Sequence, residues 1–225
     1  MLKTAMQQVP KTDKLNERSK FHFLVATLIV LGLFFRFINL DHKVFWDDET
    51  FTALRFSGYT AAELQQILYT SEDFSFPEIQ NYLAPNLGKG VEDVIQGLKL
   101  EDPHPPSFYY IALRAWVQLW GDTLGKFLFG GYLGTPRSFS VIAGLLSLPA
   151  MYWLCMELFR SRSIAVMGVA LAAVSPFFVA YSQEARAYSL CMFGIFFCKM
   201  LESSAHHHLY RMVQNPSSPM DNGIS

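Results

Sequence analysis

Residues 21–40, FHFLVATLIVLGLFFRFINL, decide the class of this chain. No Asp, Glu, Lys or Arg interrupts Phe21 to Phe35, and the apolar pattern resumes after Arg36. A helix needs roughly 20 such residues to cross about 30 Å of hydrocarbon. Two further stretches are equally free of formal charge: 138–156, SFSVIAGLLSLPAMYWLCM, and 163–183, SIAVMGVALAAVSPFFVAYSQ. A fourth, uncharged only from Ala187 to Cys198 in AYSLCMFGIFFCKML, is marginal. The whole chain of 225 residues is 51% hydrophobic and 16% charged, and the apolar residues are bunched rather than spread. The expected fold class is therefore all-α, a polytopic membrane protein with three or four transmembrane helices and short juxtamembrane helices in a long outer loop.

The first apolar run is followed by Arg36, Phe37 and Ile38, with no small-residue cleavage site, so it reads as a retained anchor rather than a secretory leader. The net charge of −1 says nothing about partners, but the sequence has no basic block of the kind that grips nucleic acid. Cys155, Cys191 and Cys198 all fall in apolar segments and read as small hydrophobes, not as a disulfide framework or metal site. His206, His207 and His208 are adjacent rather than spaced for one helix face, which suits a polar tail.

Charge sets an expected topology. Lys3, Lys11, Lys14, Arg18 and Lys20 precede the first run, and Arg160 and Arg162 follow the 138–156 run; an excess of Lys and Arg beside a span marks the cytoplasmic side. An even number of crossings must separate two cytoplasmic points. The aromatic segment 107–121, SFYYIALRAWVQLWG, should then not cross: it carries Arg114 near its middle and two Tyr and two Trp, residues favoured at the headgroup level. The expected organisation is a cytoplasmic tail (1–20), a membrane domain (21–201) with an outer loop at 41–137, and a polar, disordered tail (202–225). Within the outer loop, TALRFSGYTAAELQQILY and GVEDVIQGLKL have helical spacing, and EDPHPPS must leave helix.

The same parity brings two charged motifs, FWDDET (45–50) and SQEARAYSL (182–190), to one face of the membrane. Each has two readings. Asp47 or Asp48 caps a helix beginning near Glu49, or the neighbouring carboxylates act as a base or hold a divalent cation. His104, in the rigid DPHPPS turn, is a loop residue or a hydrogen-bond donor to phosphate. Arg186 is solvated, or clamps a lipid phosphate with its planar fork. Arg137, in GTPRSFS at the mouth of a span, snorkels to the headgroups or joins that phosphate site.

Taken in order, RFINLDHKVFWDDETFTALRFSG, HPPSFYYIALRAWVQLWGD, PRSFSVIAGLLSLPAMYWLCMELF and LAAVSPFFVAYSQEARAYSL resemble the N-terminal part of C-type membrane glycosyltransferases, in the branch of protein O-mannosyltransferases and lipid A aminoarabinose transferases. The resemblance covers about residues 21–190. It implies a polytopic enzyme that takes a sugar from a polyprenyl-phosphate carrier on the outer membrane face and passes it to an acceptor the sequence does not identify. By carry-over it implies Asp48 as catalytic carboxylate, supported by Glu49. His104, Arg137, Arg186 and Tyr188 fall to the donor phosphate, and Asp47, Asp48 and Glu184 to a divalent cation, Mg or Mn. It also implies membrane lipid as a partner and a bacterial inner membrane with a cytoplasmic N-terminus. The family pattern stops near Leu190, so the alternative expectation is a shortened, catalytically inactive fragment serving as a helical scaffold or accessory subunit.

Overall fold

The computed structural model describes residues 11–70, 79, 82–84, 88–101, 107–129 and 133–214. Among the described residues there is no strand. The helices are α1 (Lys11–Phe37), α2 (Asp47–Ser57), α3 (Ala61–Thr70), α4 (Val91–Glu101), α5 (Ser107–Phe129), α6 (Gly134–Phe159), α7 (Arg162–Val174), α8 (Pro176–Ser182) and α9 (Tyr188–Gln214). The protein is an all-α membrane protein. Two helices, Ser19–Phe37 and Gly134–Phe159, are long and apolar enough to cross a membrane, and α7 with α8 makes a third if that bent pair is one span. Phe23, Leu24, Val30 and Phe34 of α1 lie more than half exposed, an apolar face that only lipid or another helix would satisfy.

The 163–183 stretch, read from sequence as continuous, is broken at Ser175 and bent by 60°. Pro176 is the cause: it has no N–H to offer the Ala172 carbonyl four residues back. Arg36 replaces the missing donors, bonding Ala172 O at 3.3 Å and Ala173 O through its two terminal nitrogens while also holding Gly32 O at 2.9 Å. The apparent intruder in the first apolar run thus closes a gap in another helix. Gly32 permits that approach, because a Cβ there would lie 2.2 Å from the Ala173 oxygen. In return Gln183, after α8, donates to Phe35 O (2.7 Å) and Ile38 O (3.1 Å) at the end of α1.

These contacts orient the bundle. Ile29 packs against the cluster of Leu148, Val169, Ala172 and Ala173, Gly32 lies on Ala173, and Gln183 reaches Phe35 and Ile38, so later residues of α1 meet later residues of the α7–α8 pair and the two run parallel. α6 runs against both and α9 packs along α6. Arg160 and Lys199 line one cavity at the end of the bundle where α6 stops, and the two charged motifs meet at the end where α6 begins.

α5 is longer than the 107–121 segment expected, reaching Phe129. Its contacts with α6 cluster tightly: Tyr109 and Trp116 both reach Phe139, Trp116 Nε1 donates to Ser138 Oγ at 3.0 Å, and Gly125 faces Thr135. At about 1.5 Å rise per residue, residues 109–125 extend far beyond the short stretch 135–139, so α5 lies across the end of α6 instead of alongside it. Arg114 is buried and donates to Phe56 O and Ser57 O (both 3.0 Å) and to Lys89 O, tying α5 to the end of α2. Ala53, Leu54 and Phe56 of α2, Val94 and Leu98 of α4, and Tyr109, Tyr110 and Leu113 of α5 form the core of the layer these helices build.

The far terminus differs from expectation. α9 continues helical through Gln214, so residues 202–214 are not a disordered tail. ESSAHHHLYRMVQ contains neither Pro nor Gly, and Lys199 pairs with Glu202 one turn on at 2.8 Å, so nothing in that stretch stops the helix. Residues 215–225 lie outside the described residues. The cysteines also differ from buried hydrophobes: Cys191 and Cys198 are exposed on α9 and Cys155 is half-buried.

Candidate functional site

α2 begins at Asp47, two residues before the start near Glu49 that the acidic-cap reading expects. Trp46 is the N-cap, and Asp47, Asp48 and Glu49 fill the first turn, where carboxylates meet the positive end of the helix dipole. Helical spacing then separates their fates. Asp47 and Asp48 point outward, whereas Glu49 is 1% exposed and turns into the protein.

Glu49 meets Arg137, itself fully buried at the first turn of α6. The pair is bidentate: Nε donates to Oε1 at 2.9 Å and Nη2 to Oε2 at 2.7 Å. The remaining Arg137 hydrogens go to Leu40 O (2.6 Å), Lys43 O (3.1 Å) and Val44 O (3.2 Å). A guanidinium has five N–H donors, and all five are engaged. Glu49 Oε1 also accepts the Ala185 N–H at 2.9 Å. Both side chains are thus saturated by protein groups. Neither is presented to a ligand, which differs from the phosphate and catalytic roles carried over to them.

What the clamp does is join the two motifs. SQEARAYSL spans the tight turn between α8 and α9, from Ser182 at the end of one to the first residues of the other, and its Ala185 amide is fixed on Glu49. Two outer ion pairs follow from that anchor. Lys43 Nζ reaches Glu184 Oε1 at 3.0 Å and Ala180 O at 3.4 Å. Arg186 Nη2 lies 3.2 Å from Asp48 Oδ2, and its Nη1 donates to the Asp48 carbonyl, also at 3.2 Å. The Asp48 side chain is 65% exposed and that of Arg186 22%, so this pair stands at the surface with one open side.

Arg186 also lies over the Tyr188 ring, 5.5 Å from its centroid, with Nη2 at 3.5 Å from the hydroxyl. Partial burial works against the guanidinium charge, but the Tyr188 hydroxyl and the Asp48 carboxylate outweigh it and hold its pKa above the ordinary arginine value. Tyr181 supports Tyr188 edge-on at 4.9 Å. Tyr109 is buried in the core shared by α2, α4 and α5, and burial pushes its phenol pKa up, keeping it neutral.

The structure therefore brings Asp48, Glu49, Arg137, Glu184, Arg186 and Tyr188 into one constellation. Asp47 is exposed beside it, and His104 lies outside the described residues. Asp48 and Glu184 each already face a cation, and no group of three His, Cys, Asp or Glu side chains is gathered among the described residues.

Lys43 was not singled out from sequence, yet it connects the site to a groove. A cavity of about 600 Å³ opens between the end of α1 and the α7–α8 break, walled by Phe35, Ile38, Val174 and Val179, with Lys43 and His42 at its mouth. The sequence signal for it is a single lysine four residues before the acidic triplet 47–49. Compared with known proteins, the chain matches no family model, no curated protein and no solved structure.

Proposed function

We propose that this chain is an integral membrane glycosyltransferase, or the N-terminal part of one, that moves a sugar from a polyprenyl-phosphate carrier to an acceptor on the outer face of a bacterial inner membrane, with its N-terminus in the cytoplasm. The observation that carries this reading is the exposed Asp48 carboxylate 3.2 Å from Arg186. A phosphate-linked sugar already has a good leaving group. Its displacement needs a base for the acceptor and a cation for the departing phosphate, without the second carboxylate that hydrolysing an ordinary glycosidic bond requires.

In this mechanism the carrier phosphate draws the Arg186 fork away from Asp48. Asp48, released from its partner, takes the proton as the acceptor oxygen or nitrogen bonds the anomeric carbon. The bond from that carbon to the phosphate oxygen breaks, and its electron pair leaves with the phosphate, whose charge Arg186 meets. Asp48 then passes the proton to water. The groove beside Lys43 suits the carrier's apolar chain, because its apolar walls end at the Lys43 ammonium. Glu49 and Arg137 are positioning residues: they hold the two motifs in register without touching substrate.

A second reading, a helical scaffold or accessory subunit without turnover, is favoured by the Asp48–Arg186 contact itself, since the two groups already neutralise one another. The two readings separate in one assay. The full chain is reconstituted with labelled lipid-linked hexose and aminopentose donors, and release of free polyprenyl phosphate is followed. The transferase reading expects release that Asp48→Asn abolishes; a wild-type chain that leaves every donor intact sinks it and leaves the scaffold.

A further inference from the structure

At the end of the bundle opposite the charged motifs, α6 and α9 splay apart. They leave a cavity of about 550 Å³ with an apolar floor of Leu154 and Leu158. Its rim carries both signs of charge. Glu157 and Arg160 come from the end of α6, and Lys199, Glu202, Ser203 and His206 from successive turns of α9. Lys199 and Glu202 pair with each other at 2.8 Å. The side chains of Glu157 and Arg160 have no ion-pair or hydrogen-bond partner among the described residues, although Glu157 is half-buried.

Arg160 is placed there at a conformational cost. It ends α6 in the left-handed region, φ 51°, where its N–H donates to Met156 O at 3.0 Å. Glycine adopts that geometry without strain and is the usual residue at such a stop. Below the rim, Trp153, Leu158, Phe159, Phe197 and Leu201 are exposed, so the charged mouth stands directly over an apolar surface. Each is a residue of α6, which is long and apolar enough to cross a membrane, or of α9 packed along it.

We propose that this cleft is a binding site for a phospholipid with a primary-amine headgroup, of the phosphatidylethanolamine class. Arg160 meets the phosphate, Glu157 accepts hydrogen bonds from the ammonium, and the acyl chains follow the apolar floor and the exposed side chains beneath. Charge complementarity selects this occupant. An anionic headgroup leaves Glu157 facing a negative charge, and a choline headgroup has no N–H to donate. The site is separate from the candidate transferase centre and does not depend on that reading.

The test uses the full chain, stripped of lipid in detergent and exposed in turn to phosphatidylethanolamine, phosphatidylcholine and phosphatidylglycerol, with retained lipid per chain read by native mass spectrometry. The expected result is about a tenfold preference for phosphatidylethanolamine over phosphatidylcholine, the order of one charge-assisted hydrogen bond. Glu157→Gln removes the preference. Arg160→Gly relieves the strained helix stop, so the variant folds at least as well as the parent, yet retains little phosphatidylethanolamine. Because the readout is a ratio between lipids on the same folded chains, loss of protein does not mimic it. Equal retention of phosphatidylethanolamine and phosphatidylcholine, a preference for phosphatidylglycerol, or an unchanged preference in Glu157→Gln overturns the proposal.

Discussion

Arg137 and Glu49, 88 residues apart in sequence, meet through two parallel hydrogen bonds of 2.9 and 2.7 Å in a fully buried pair. Neither charge has access to water, so each depends on the other. Removing one partner of such a pair typically costs about 3–5 kcal/mol, because the survivor stays buried and charged. Glu49→Gln and Arg137→Met are each expected to lower the thermal unfolding temperature of the detergent-solubilised chain strongly. Arg137→Met should be the worse, since it also strands the carbonyls of Leu40, Lys43 and Val44. The double variant Glu49→Leu/Arg137→Met should lose clearly less than the sum of the singles. Additive losses would show that the two side chains act independently.

Asp48, one residue earlier, should behave in the opposite way. Its pair with Arg186 is exposed, and such pairs contribute about 0–1 kcal/mol. Asp48→Asn is expected to unfold within a few degrees of the parent while losing at least about 100-fold in carrier release, the scale of a lost general base. A variant that melts early, or that keeps full turnover, would contradict the assignment.

Arg36 and Pro176 make a pair of a different kind. Arg36→Met leaves the Ala172 and Ala173 carbonyls without donors inside an apolar region, and an unpaired buried polar group costs about 1–3 kcal/mol. Pro176→Ala restores an N–H four residues after Ala172, so the double variant should be more stable than Arg36→Met alone. Gly32→Ala is expected to destabilise by about 1–3 kcal/mol through overpacking against Ala173. Gly194→Ala, where a Cβ meets nothing within 4 Å, should be neutral or slightly stabilising. Equal effects at the two glycines would refute the close packing of α1 on α7.

How much of this was legible in the sequence depends on the length scale of the signal. Long uncharged runs announced α1, α6 and the α7–α8 pair, because a bilayer demands twenty apolar residues in a row. Parity placed FWDDET and SQEARAYSL together, and the contacts of Glu49 with Ala185 and of Asp48 with Arg186 bear that proximity out. The division of labour within FWDDET was not legible. Which of three adjacent carboxylates faces inward depends on where α2 starts, and that is set by Trp46 and by Arg137 far along the chain. The bend at Pro176 had a local signal in the proline itself, but its repair by Arg36 is a tertiary contact that no local pattern contains. α9 outran its apolar pattern because helix continuation needs only the absence of a stop.

The α2–α5 layer should respond to acid. Lys89 donates to Glu63 at 2.7 Å. Burial alone would raise the Glu63 pKa, but the Lys89 ammonium and the Thr60 donors outweigh it, so the folded pKa lies below the ordinary 4.5. The ionised form therefore stabilises the fold above that ordinary value, and the contribution fades as pH falls through the lower folded pKa. The protection of α3 amides, relative to the exchange rate of an unstructured chain at the same pH, is expected to fall as the pH drops below about 4.5 and through the lower folded pKa. Lys89→Met should flatten that dependence; an unchanged pH profile in Lys89→Met would detach Glu63 from it.

The central claim is that both charged motifs meet at the outer end of the bundle while the basic cluster lies at the cytoplasmic end. Single cysteines at His42, Tyr188 and His206, in a chain freed of its native cysteines, test it with a membrane-impermeant maleimide on intact cells. Labelling at 42 and 188 from outside, with 206 reacting only after permeabilisation, is the expected result. Positions 42 and 188 reacting from opposite sides, or 206 reacting together with 188 from outside, would contradict it.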